Sequence, residues 1–95
     1  IPAMALGAQG VISVLSNIFP ARVQALTDAC LDNDNETARH LQSRLHPLTE
    51  ILFSEVNPIP VKAAMQCIGL DCGGCRPPLT NATDATFDAL RQLLT

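Results

Sequence analysis

Ninety-five residues, 47% of them apolar and with a net charge of −3, limit the chain to one small core, because a chain this short buries only about 60–65% of the surface that its unfolded form exposes. The six cations (Arg22, Arg39, Arg44, Lys62, Arg76 and Arg91) are scattered and form none of the basic stripe that nucleic acid demands. No apolar run approaches the ~20 residues that cross a bilayer, and the first ten residues lack the charged start of a secretory signal, so a cytoplasmic chain with no membrane partner is expected.

Taken in order, Gly10-Val11-Ile12-Ser13-Val14-Leu15 is a short β-branched run opened by glycine, the pattern of a strand buried on both faces of a parallel sheet. It is the one strand expected, and its unpaired N–H and C=O groups call for neighbours that these residues do not supply. A helix over 20–31 follows, opened by Pro20 at a first-turn position and burying Val23, Leu26, Cys30 and Leu31. Asn33 and Glu36 have the spacing of a capping box. They predict a long helix over 35–55 with Ala38, Leu41, Leu45, Leu48, Leu52 and Val56 on one face and Ile51 beside them. Pro47 lies inside that stripe, which stays in phase on both sides, so a kink rather than a stop is expected.

Asn57-Pro58-Ile59-Pro60 reads as extended, since proline disfavours the helical region for the residue before it. Pro60 then opens a helix over 60–68 that buries Val61, Ala64, Met65 and Ile68 and ends on Gly69 in a left-handed cap. Residues 71–79 read as loop. Thr83 is the expected N-cap of a last helix over 84–94, with Ala82 placed to staple onto Phe87, and with Phe87, Leu90 and Leu94 inward. The chain is thus mainly α with one β-strand, the pattern of the end of an α/β barrel with a helical appendix.

Three stretches carry a family resemblance: Gly7-Ala8-Gln9-Gly10-Val11-Ile12-Ser13-Val14 with Asn17, Asn57-Pro58-Ile59-Pro60-Val61-Lys62, and Arg76-Pro77-Pro78-Leu79-Thr80. In order and spacing the chain resembles the carboxy-terminal third of the dihydrodipicolinate synthases, and the middle block is more typical of these than of the related N-acetylneuraminate lyases. The resemblance implies a C-terminal fragment of a (β/α)8 TIM barrel: residues 1–33 as the eighth strand and its helix, and 34–95 as a C-terminal helical domain. It implies a homotetrameric parent that condenses pyruvate with an aldehyde co-substrate, aspartate semialdehyde, in lysine biosynthesis, through a Schiff base on a lysine and without a separate cofactor. The catalytic lysine and a proton-relaying tyrosine are expected upstream, so the chain alone is expected to be inactive. Ile12 is the residue carried over, its backbone carbonyl standing near pyruvate, while Ser13 and Asn17 are expected to hydrogen-bond the loop.

Other constellations carry less. Lys62, the single lysine, sits in the first turn of a helix with no sign of the apolar burial that lowers an amine's pKa. Cys67, Cys72 and Cys75 have the spacing that begins an iron–sulfur motif, but no fourth cysteine follows. Cys72-Gly73-Gly74-Cys75 has the spacing of a redox pair without the βαβ setting such pairs occupy. His40 and His46, six apart on one helix, lie on different faces, and no metal site is expected. A helical interaction or oligomerisation module without catalysis is the alternative function.

Overall fold

The computed structural model describes residues 1–95. Five helices follow one another: α1 (Pro2–Ala5), α2 (Pro20–Leu31), α3 (Asn35–Leu52), α4 (Ile59–Cys67) and α5 (Asp84–Leu94), with a 3-10 helix over Val14–Asn17 between the first two. They sort into two compact units, Ile1–His46 and Pro47–Thr95, and α3 runs through the division.

In the first unit, α1 and the 3-10 helix pack on α2. Helix α1, too short to show an apolar period, is one turn that ends with Gly7 at φ 107°; the Gly7 and Ala8 amides donate to the Met4 and Ala3 carbonyls at 3.0 and 3.1 Å. The strand expected over 10–15 is not formed. Ser13 keeps extended dihedrals (φ −121°, ψ 132°), but Val14 begins the 3-10 helix, because a strand is stable only when a neighbour completes its ladder, and none is present here. Leu15 and Ile18 are buried, whereas Val11 and Ile12 are exposed.

Helix α2 has Pro20 in its first turn, and Arg22 lies over the Phe19 ring at 4.0 Å. Val23, Thr27 and Ala29 are its buried residues, and the expected Leu31 is instead half exposed. The capping between α2 and α3 also differs from expectation. Asn33 adopts φ 58°, its amide donates to the Cys30 carbonyl at 3.2 Å and the Asp34 amide to the Ala29 carbonyl at 2.9 Å, the paired bonds that close a helix on a left-handed residue. Asp34 is therefore the cap of α3: its Oδ1 accepts from the Thr37 amide at 3.1 Å.

Along α3 the stripe of Ala38, Leu45, Leu48 and Leu52 is buried as the periodicity predicts. The helix continues through Pro47. It stops at Leu52, three residues earlier than expected, where Ser54 turns back and its Oγ donates to the Ile51 carbonyl at 2.7 Å. Val56 falls beyond that end and is 65% exposed.

In the second unit α4 packs against α5. Ile59 is the first residue of α4 although Pro60 follows it, so residues 57–60 are not extended throughout. The Ile59 amide donates to the Val56 carbonyl at 2.9 Å and its side chain is buried, a gain of about 1.5–3 kcal/mol that offsets the proline clash. Gly69 closes α4 with φ 88°, its amide on the Gln66 carbonyl at 3.1 Å and that of Leu70 on Met65 at 2.9 Å, as its position predicted. Thr83 caps α5, its Oγ1 accepting from the Thr86 amide at 3.3 Å, and Leu90 is 0% exposed.

Candidate functional site

The segment that carries Ile12 is ordered from its neighbours. Ser13 Oγ accepts from the Leu15 amide at 3.2 Å, Asn17 Nδ2 donates to the Val14 carbonyl at 3.0 Å, and the Phe19 amide donates to the Leu15 carbonyl at 2.9 Å. Both side chains thus hold the turn, as expected of them, and buried Leu15 anchors it. Ile12 precedes the turn with its side chain fully in solvent.

Next to Ile12, Gln9, Gly10 and Val11 face Ser16, Val23, Gln24, Thr27 and Leu31 across a cavity of about 340 Å³. Two of its polar side chains are engaged within α2: Thr27 Oγ1 donates to the Gln24 carbonyl at 2.8 Å and Gln24 Nε2 to Asp28 Oδ1 at 2.8 Å. No titratable side chain lines this cavity. The place can present backbone groups, the Ser16 hydroxyl and apolar walls to a ligand, and no carboxylate, imidazole, thiol or amine side chain lines it.

Lys62 belongs to the second unit. Its Nζ donates to the Gly74 carbonyl at 2.7 Å, beside a cavity of about 220 Å³ bordered by Gln66, Asp71, Cys75, Asn81 and Phe87. The amine ties a loop to α4. Ala82 and Phe87, the expected staple, line the same cavity. Cys72 is exposed and Cys30, Cys67 and Cys75 are half-buried, all as free thiols. No three His, Cys, Asp or Glu side chains stand close enough to share a metal ion. His40 and His46 are both exposed.

One polar cluster went unread in the sequence. Glu55 Oε2 accepts from Thr86 Oγ1 at 2.6 Å, from the Thr83 amide at 3.2 Å and from Thr83 Oγ1 at 3.4 Å. These bonds, that from the Thr86 hydroxyl foremost, hold the Glu55 carboxyl below its ordinary value. The role is that of a capping-box carboxylate, supplied from 28 residues upstream of the cap. The only signal for it would have been the lack of Glu or Gln at position 86.

The whole chain, residues 1–95, matches the model of the Dihydrodipicolinate synthetase family. It is 59% identical over 85 residues to the 4-hydroxy-tetrahydrodipicolinate synthase of Exiguobacterium sibiricum, covering 90% of this chain and 29% of that one. With the enzyme of that name from Acetivibrio thermocellus it shares 47% over 94 residues, 99% of this chain and 32% of the relative. Among solved structures, a dihydrodipicolinate synthase superposes with TM-score 0.93 at 39% identity, and that of Aquifex aeolicus with 0.92 at 44%, each over 98% of this chain and 32% of the other. The chain therefore spans about a third of the length of the relatives it matches. No helix is long and apolar enough to cross a membrane.

Proposed function

The chain belongs to the dihydrodipicolinate synthetase family, and from that premise we propose that it is the carboxy-terminal third of a Schiff-base lyase that condenses pyruvate with aspartate semialdehyde in lysine biosynthesis. Residues 1–33 form the eighth β/α unit of the parent's TIM barrel, and residues 34–95 its helical domain. In the assembled barrel residues 10–13 gain strand neighbours, and the Ile12 carbonyl faces the imine lysine and bound pyruvate. An imine-forming amine has to be held neutral by its surroundings. Lys62, hydrogen-bonded to Gly74, does not serve, and with no tyrosine in the chain both the imine lysine and the relay tyrosine belong to the rest of the parent. The parent is a cytoplasmic homo-oligomer that needs no separate cofactor.

The observation that carries this reading is the match to the family over all 95 residues in sequence, joined by a superposition over 98% of the chain in conformation. It is tested by a chimera in which this chain replaces the corresponding third of the Exiguobacterium enzyme. The chimera is expected to condense pyruvate with aspartate semialdehyde and to be trapped on pyruvate by borohydride, while the 95-residue chain alone does neither. Trapping of pyruvate on Lys62 would overturn the assignment. In the same chimera an ester in place of the Ile12–Ser13 amide weakens the Ile12 carbonyl as an acceptor and is expected to lower kcat/KM; an unchanged value removes Ile12 from the site.

A further inference from the structure

The loop after α4 contains two of the four free thiols, Cys72 and Cys75, with only Gly73 and Gly74 between them. A disulfide requires Cα atoms about 4.4–6.8 Å apart, which residues three apart reach when the chain folds into a turn. Residues 72–75 have neither turn nor bend. What holds them open is on the same four residues: the Gly74 carbonyl accepts from Lys62 Nζ at 2.7 Å, the Gly73 amide donates to Asp71 Oδ1 at 2.9 Å, and Gly74 sits so close to Asn81 that a Cβ there would stand 2.9 Å from its Oδ1. Both residues between the thiols are glycines, Gly73 already at φ 82°, so the backbone can refold without steric cost.

We propose that Cys72 and Cys75 form a reversible disulfide whose closure displaces the Gly74 carbonyl from Lys62, which makes this loop a thiol-responsive latch on α4. The oxidant is a small-molecule disulfide. The thiolate of exposed Cys72 attacks one of its sulfurs and releases one thiol; the thiolate of Cys75 then attacks the Cys72 sulfur of the mixed disulfide and releases the second. Two protein thiols are oxidised, one small disulfide is reduced to two thiols, and the two S–H protons leave with them. Because turn and latch exclude each other, each opposes the other by the same factor: breaking the latch favours the disulfide, and forming the disulfide frees Lys62.

The test uses the full chain with Cys30→Ser and Cys67→Ser, which leaves the pair as the only thiols. Equilibrated in glutathione buffers, quenched and alkylated, it is expected to show a single two-electron transition to the Cys72–Cys75 disulfide. Lys62→Met is expected to oxidise at a roughly threefold to tenfold less oxidising glutathione ratio, the worth of one net hydrogen bond. Equal midpoints, or capture of Cys72 as a lasting glutathione adduct with no pair formed, overturn the latch. A second reading needs no change at Lys62: the acetylation rate of Lys62 by a limiting acylating reagent is expected to rise several-fold when the loop is oxidised, and an unchanged rate likewise refutes the coupling.

Discussion

Glu55 Oε2 stands 2.6 Å from Thr86 Oγ1, so a carboxylate that follows α3 completes the cap of α5 from 28 residues before the cap itself. Folded, this carboxyl titrates below its ordinary value of 4.5. The unfolded chain therefore takes up the proton first, and the stabilisation is full above the ordinary value and lost as pH falls through the depressed one. Asp34, lowered by the Thr37 side chain and then by its amide, adds in the same direction. Urea midpoints compared at pH 7 and near pH 3 should fall less for Glu55→Gln than for the unaltered chain. A fall of equal size would remove Glu55 from the acid sensitivity.

Thr83→Ala removes the acceptor for the Thr86 amide and should destabilise the chain by about 1 kcal/mol, the usual cost of an N-cap lost to alanine. Thr83→Ser should recover most of it. Denaturant unfolding measures both, and an alanine variant as stable as the parent would show that Glu55 alone suffices to start α5.

Leu52 is 0% exposed, and Leu52→Ala is expected to cost about 2–5 kcal/mol. Leu6, 90% exposed, should tolerate alanine within about 0.5 kcal/mol. Since small domains have only a few kcal/mol to lose, thermal unfolding should show the first variant largely unfolded and the second unchanged.

Val11, Ile12 and Leu31 are exposed in the unit Ile1–His46. Apolar side chains left in water favour association by roughly 1.5–3 kcal/mol each when covered, so the isolated chain should sediment as an oligomer. Ile12→Lys should shift it toward monomer. A monomer over a wide concentration range would refute the expectation.

How far the fold was legible depended on whether each signal was local. Pro20, Gly69 and Thr83 act within one helical turn, and each is legible in the sequence, as is the buried face from Ala38 to Leu52. Asn33 misled because Asn and Asp stand side by side where one helix stops and the next starts: either can cap, and the left-handed conformation of Asn33 passes the task to Asp34. The extent of α3 was overestimated because apolar spacing continues to Val56, whereas Ser54 closes the helix first. The strand over 10–15 rests on partners outside these residues, and so does the part foreseen for the Ile12 carbonyl. Glu55 was invisible for a different reason: its acceptor role joins positions that only the packing of the second unit brings together.

Pro47 leaves its mark on α3 without interrupting it. With no amide at position 47 to donate to the Ser43 carbonyl, the ladder of the helix has a missing rung where the unit Ile1–His46 gives way to Pro47–Thr95. Amide protons before and after that rung need not exchange with solvent in one event. The amino-terminal turns of α3 are expected to open with the first unit while Leu48 and Leu52 stay seated, so that hydrogen exchange should find one continuous helix protected in two halves rather than as a single block.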